Sequence, residues 1–199
     1  MVWAPDYVTP DELKGDLRIT DTVDDAQAAR AVTAASRAVD RATHRQFGKL
    51  TEAAPFVYTA RWHSGRGQWL IPIDDLMTST GLVITTVDGP ITAFKLQPGN
   101  AAVKGRPWTR ILVEKASAIQ PTADEDGVTV TGLFGWSDVP VTVKAATLLQ
   151  ATRFFKRRDA PFGVAGSPQD GSEVRLLAKV DPDVAVMVRD YVRDPVVFG

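Results

Sequence analysis

Cysteine is absent from the 199-residue chain. That absence removes disulfides, thiolate nucleophiles, zinc–thiolate sites and iron–sulfur clusters together, and it fits a reducing cytosol. Histidine is scarce: the only two are His44 and His63. They fall on different expected elements, and no HExxH or paired-histidine spacing offers ligands for zinc. No apolar run approaches the roughly 18 residues that suggest a membrane span. The opening MVWAPDYVTP lacks a basic stretch followed by an apolar one, so no secretory signal is expected. Charge of one sign is missing too. At a net −1 the whole chain is not drawn to nucleic acid, and attraction to DNA would need a local patch or many copies arranged together. These absences predict a soluble protein made in a cytoplasm.

What is present is ordinary globular material, 44% hydrophobic and 24% charged, enough for one domain or a domain carrying an insertion. Thr9-Pro10-Asp11-Glu12 reads as a capping box opening a short helix, with Pro10 at its first position. Gly15 or the region of Arg18 to Thr20 should end it. A second helix should start at Asp21-Thr22, with Asp24 and Asp25 in its first turn. Ala28, Val32, Ala35, Val39 and Ala42 recur at spacings of four and three, one helical face lined mostly by alanine. Arg41, His44 and Arg45 suit its last turns, and Gly48 suits the position just beyond its end.

From Pro55 to Leu133 the pattern turns to short β-branched and aromatic runs. Strands are expected at Phe56–Trp62, Gln68–Ile73, Gly81–Val87, Ile91–Leu96, Thr109–Val113 and Val128–Phe134. Val87-Asp88-Gly89-Pro90 suits a reversal, although Pro90 argues against the simplest two-residue hairpin. Helix resumes at Asp138-Val139-Pro140, with Val141, Ala145, Leu148, Thr152 and Phe155 as its apolar stripe. Ala160 to Gly171 reads as loop. Asp181-Pro182 caps and opens a last helix reaching about Tyr191, and Pro195 ends order. The expected fold class is α+β: a mainly α-helical bundle with an inserted small antiparallel β-sheet or partial barrel. Residues 1–54 form its first helical part, 55–135 the β-rich insertion, and 136–199 the second helical part with an extended tail.

No set of residues in this sequence demands chemistry. His44 at a helix end favours a cation meeting the helix dipole. Asp24-Asp25 is explained by a helix start. Asp74 and Asp75, adjacent on a strand, should point to opposite faces and form a solvated turn; a hydrolase would need further acids to converge on Asp74. Gly65-x-Gly67 and the glycines of Phe162–Gly166 lack the context of phosphate loops and read as turns. Trp62, Trp69, Trp108 and Trp136 are either core fillers or a stacking platform for carbohydrate or single-stranded nucleic acid. Arg153, Lys156, Arg157 and Arg158 form the densest positive run. It suits a helix C-terminus, and repeated around a ring it would meet phosphate without reading sequence.

Several of these blocks together carry a resemblance. Tyr7-Val8-Thr9-Pro10-Asp11-Glu12-Leu13 leads to AASRAVDRATHRQF. Then come Val130-Thr131-Gly132, Phe134-Gly135-Trp136, Val139-Pro140, the helix KAATLLQATRFFKRRDAPFGVAG and Asp181-Pro182-Asp183-Val184. Across nearly its whole length the chain resembles the head-to-tail adaptor (connector) proteins of long-tailed phages infecting actinobacteria. The resemblance implies a non-enzymatic neck protein without a cofactor, assembled in the bacterial cytoplasm and resident in the virion. Such proteins form a ring, usually of twelve copies, beneath the portal and above the stopper or tail-terminator. Double-stranded DNA passes through the lumen, and no membrane partner is implied. It also implies that Asp194, Pro195, Val196, Val197, Phe198 and Gly199 form a tail docking on the portal, with Arg153, Lys156, Arg157 and Arg158 facing the lumen or a partner. The alternative is a binding module built on the tryptophans.

Overall fold

The computed structural model describes residues 3–157, 164–165, 174–175 and 181–193. The chain divides into two compact units. Gln46–Asp138, with residues 3–4, forms a β unit, while Pro5–Arg45 and the described part of Val139–Arg193 form a helical unit.

In the helical unit, α1 (Pro10–Leu17) begins with the expected reciprocal cap. The Thr9 hydroxyl accepts from the Glu12 amide at 3.1 Å, and the Glu12 carboxylate accepts from the Thr9 amide at 2.6 Å. Arg18 takes the left-handed conformation that closes it. Helix α2 (Asp25–Thr43) starts later than the expected Asp21-Thr22, because Asp21 holds a local turn by accepting from the Val23 amide. Ala28, Val32, Ala35 and Val39 are fully buried as read. The helix ends earlier than Gly48: His44 itself adopts the left-handed cap, its amide donating to the Asp40 carbonyl. Helix α3 (Val141–Lys156) packs on α2, and α4 (Pro182–Val188) packs on α3, capped by Asp181 as expected. Val8, Leu13, Ala28, Ala31, Val32, Ala35, Ala151 and Phe155 make the common core.

One polar cluster ties the segment before α1 to α2. Tyr7 donates its hydroxyl to Asp40 and its amide to the Ser36 hydroxyl. Arg37 reaches the other Asp40 oxygen at 3.1 Å, donates to the Pro5 carbonyl at 2.7 Å and lies over the Tyr7 ring. Burial pushes the Asp40 carboxyl above the usual carboxylate range, against the opposing pull of the Tyr7 hydrogen bond and Arg37.

The β unit holds eight strands in two antiparallel sheets. They are β1 (Ala54–Tyr58), β2 (Arg61–His63), β3 (Gln68–Leu76), β4 (Val83–Thr86), β5 (Gly89–Pro90), β6 (Phe94–Gln97), β7 (Trp108–Val113) and β8 (Val128–Gly132). One sheet has the order β1-β8-β4-β5 and the other β2-β3-β7-β6. Ile71, Ile73, Ile111 and Val113 from one meet Ile84, Val128 and Val130 from the other in a single core. The expected run Phe56–Trp62 is two strands belonging to different sheets, broken after Tyr58. Pro90 is compatible with a two-residue turn after all. Thr85 and Pro90 face each other between the hydrogen-bonded positions of an edge strand, where a missing amide costs nothing.

These sheets overturn the expected fold class. Among the described residues the protein is a mixed helix-and-sheet chain with four α-helices and two four-stranded antiparallel sheets, not a mainly helical bundle with a small inserted sheet. Single strands are legible from alternation, but which strand pairs with which is set by contacts distant in sequence. The expected loop Ala160 to Gly171 is also interrupted: Val164–Ala165 pairs antiparallel with Val174–Arg175, as β9 and β10. The rest of that stretch lies outside the described residues.

The end of β3 and the first and last residues of the β unit meet in a knot of backbone bonds. The Gly135 amide donates to the Asp75 carbonyl at 2.7 Å, the Trp136 amide to the Gly48 carbonyl at 3.0 Å, and the Leu50 amide to the Phe134 carbonyl at 2.9 Å. Gly135 has φ +111°, and a Cβ there would sit 2.2 Å from the Gly48 oxygen and 2.6 Å from Lys49 Cα. Neither backbone can yield without breaking the bonds around it. Gly135→Ala is therefore expected to destabilise the protein by about 3 kcal/mol or more, whereas Gly99→Ala, with open space around it, should change stability by less than about 0.5 kcal/mol. Denaturant midpoints of the two variants check this.

Asp40 gives a second expectation. A carboxyl with a raised folded pKa binds its proton more tightly in the native state, so its contribution to stability is largest at low pH. That contribution falls as pH rises through the raised value. Asp40→Asn removes the titration. Its melting temperature relative to wild type should therefore improve as pH rises from the ordinary aspartate value through the raised one and then level off, as followed by thermal melts at a series of pH values. A gap independent of pH would show that Asp40 is not perturbed by folding.

Candidate functional site

Among the described residues no group of three or more His, Asp and Glu side chains is placed to hold a metal ion. No described helix is long and apolar enough to cross a membrane. His44 and His63 are both exposed, on different units. Asp74 and Asp75 do point to opposite sides of β3, but they do not form a solvated turn. Asp74 accepts from the Tyr58 hydroxyl at 3.1 Å. Asp75 is buried and accepts from the Trp136 indole N–H at 2.8 Å. The turn reading fails because β3 runs through both residues to Leu76. Nothing local in the sequence announces the pairing of Asp75 with a tryptophan 61 residues away.

The tryptophans are divided between roles. Trp136 is buried against Phe47 at 5.0 Å, and Trp3 packs on Phe56. Trp62 is 55% exposed, while Trp69 and Trp108 are half-buried. Trp62 and Trp69 oppose each other across β2 and β3 with rings at 71°, so the indoles do not present the coplanar row that successive bases or sugars stack on.

Two surfaces depart from what solvent ordinarily demands. The first is the outer face of the sheet β1-β8-β4-β5. Register and alternation place Pro55 and Val57, Thr129 and Thr131, Val83 and Thr85, and Pro90 together on it. None of the seven is charged, and Val57 and Val83 are each about half exposed. Thr85 directs its hydroxyl back to the Thr129 carbonyl. A solvated sheet face normally carries charges, and the other sheet does so with Arg61, Lys95 and Arg110 on its outer side. Prolines stand on both edge strands of the uncharged sheet. Strand addition is thereby hindered, and the face itself is what remains to be met.

The second surface is on α3. Of the expected stripe Val141, Ala145, Leu148, Thr152 and Phe155, Phe155 is buried in the core and Leu148 packs half-buried against it, while Val141 and Ala145 are exposed. The buried residues are Val143, Ala146, Thr147, Gln150, Ala151 and Phe155. Period alone could not choose, because α3 is apolar on both sides and its core side includes two polar residues. Both are satisfied: Thr147 donates to the Val143 carbonyl at 2.8 Å, and Gln150 accepts from the Asp181 amide at 3.2 Å. Val141 is left 82% exposed. With Ala145, Leu148 and Lys144 it forms one wall of a groove of about 380 Å³, whose other wall is Val8, Glu12 and Asp16. Thr152 marks the groove's end by donating to Asp16 at 3.0 Å.

The basic run is divided too. Arg153 is ion-paired to the Asp181 cap, Lys156 is exposed and Arg157 is half-buried. Arg158 and the expected docking tail Asp194 to Gly199 lie outside the described residues. No protein-family model matches the chain, and no curated protein matches it.

The phase of α3 is open to direct measurement. Val143→Ala should lower stability by about 2 kcal/mol, as truncation of a buried side chain does. Val141→Glu should leave it within about 0.5 kcal/mol of wild type. Equal losses in urea titrations would mean that Val141 belongs to the core.

Proposed function

We propose that this chain is a structural subunit of a phage neck, forming a ring that joins the portal to the stopper or tail and lets DNA pass. The observation that carries the reading is the second apolar stripe of α3, with Val141 standing 82% exposed at its head. A helix that leaves apolar residues such as Val141 and Ala145 open to solvent is shaped for a neighbour. The uncharged sheet face supports the same reading, since a single subunit in water has no use for it. The sequence blocks that resemble head-to-tail adaptors supply the identity of the assembly.

On this reading the members of the basic run have different tasks. Arg153 holds the start of α4 through Asp181, which leaves Lys156 as the described member most open to DNA phosphate or a partner. The tail Asp194 to Gly199, which carries Val196-Val197-Phe198, is the portal-docking segment.

A phage deprived of this chain should accumulate unjoined heads and tails. Supplying the full chain should restore tailed particles. Supplying a form lacking residues 194–199 should give a folded protein that does not. Tailed, infectious particles in the chain's absence would end the neck reading, and full rescue by the truncated form would end the docking role of the tail.

A further inference from the structure

We propose that the α1–α3 groove receives the exposed face of α4 from a second copy of this chain, a head-to-tail contact that repeats from subunit to subunit. The purpose of this contact rests on the assembly reading given above, but its physics rests on the helical unit alone.

Three observations carry it. First, groove and knob lie on opposite sides of α3. Val141, Ala145, Leu148 and Thr152 share the side facing α1, while Gln150 and Arg153, on the other side, hold the Asp181 cap of α4. Opposed complementary patches make a heterologous contact, which cannot be satisfied within a pair and propagates into a ring or a filament. Second, the shapes are reciprocal in kind. The groove has apolar stretches on both walls, Val8 on one and Val141, Ala145 and Leu148 on the other, and the exposed face of α4 offers Val186, 73% exposed, beside Ala185.

Third, the charges are complementary. Glu12 and Asp16 stand on the α1 wall and Lys144 on the α3 wall. One turn beyond Val186, the chain presents the exposed Arg189 and Asp190 side by side. Arg189 meets the acidic wall and Asp190 the basic one. Reversing the approach would set like charges against each other, so the pattern fixes the direction of the contact.

The absence of cysteine makes the test clean. Ala145→Cys and Val186→Cys are both at exposed positions, and each single variant should fold with an unchanged melting temperature. Under oxidation at high protein concentration the double variant should give a ladder of covalent dimers, trimers and larger species. Its cross-linking should run about tenfold faster than that of either single variant, because the contact raises the local thiol concentration. Arg189→Glu in the double variant should suppress the ladder, and adding Asp16→Lys should restore it. Cross-linking of the double variant at the rate of the singles, or a ladder indifferent to Arg189→Glu, would overturn the proposal. The neck reading fails separately. A ladder from a chain that phage particles do not need would leave this contact standing and remove the neck. Heads and tails that require the chain, with no ladder, would mean that the ring uses another surface.

Discussion

A helix packed in a small unit can give one side to its own core, and α3 has two sides suited to that place. The side facing α2 wins by volume and by satisfied polarity. Val143, Ala146 and Ala151 bring the helices close, while Thr147 and Gln150 find partners within the same unit. Once that side is taken, Val141 and Ala145 are left on the surface and Leu148 is only half-buried, at the edge of the core. Alpha-helical geometry allows no rotation that buries both rows against α2. The exposed row is thus a consequence of the same sequence that makes the unit fold, and it cannot be removed by repacking. Everything inferred about partners begins from this surplus.

The β unit depends on a different constraint, the need of a buried carboxylate for a donor. Asp75 sits inside the unit at the end of β3, and the Trp136 indole supplies its N–H. That bond holds Trp136 against Phe47, while the neighbouring amides of Gly135 and Trp136 are taken by Asp75 and Gly48. The close approach requires a residue without a side chain at 135, which is why the Phe134-Gly135-Trp136 block has glycine at its centre. Apolar replacement of Asp75 would take the acceptor from the indole N–H, and loss of Trp136 would take a donor from a buried carboxyl group. The Asp75–Trp136 hydrogen bond thus helps anchor the two sheets at one corner.

Much of the local structure was legible. The Thr9 and Glu12 reciprocal cap, the Asp181 cap and the alanine face of α2 each follow from chemistry within four residues of the site, so sequence alone suffices. What failed shares a physical character. The phase of α3 was misread because its period is compatible with two sides and the choice is made by α2. The end of α2 was misplaced because His44 accepts a left-handed conformation more often given to glycine. Asp75 was read as solvated because the residue that satisfies it lies across the unit. Alternation reveals strands and hides their partners, which is why the sequence pattern suggests only a minor insertion where two four-stranded sheets stand. The uncharged sheet face could have been found beforehand only with the register in hand, since Pro55, Val57, Val83, Thr85, Thr129 and Thr131 are scattered along the chain.

The sizes involved bear on how such a subunit would assemble. Helix α4 is seven residues long, and a groove of about 380 Å³ takes only one or two side chains. A contact of that scale falls well short of the roughly 800 Å² per partner that a stable isolated complex buries. One copy would hold another weakly in free solution. In a closed ring each subunit is held on two sides, and a template that gathers the copies raises their effective concentration without any new contact. A near-neutral chain suits that arrangement, because like charge would otherwise accumulate with every added subunit. Weak heterologous contacts with a fixed direction favour assembly on a partner over premature polymerisation, and the charge pattern of Glu12, Asp16 and Lys144 against Arg189 and Asp190 supplies the direction.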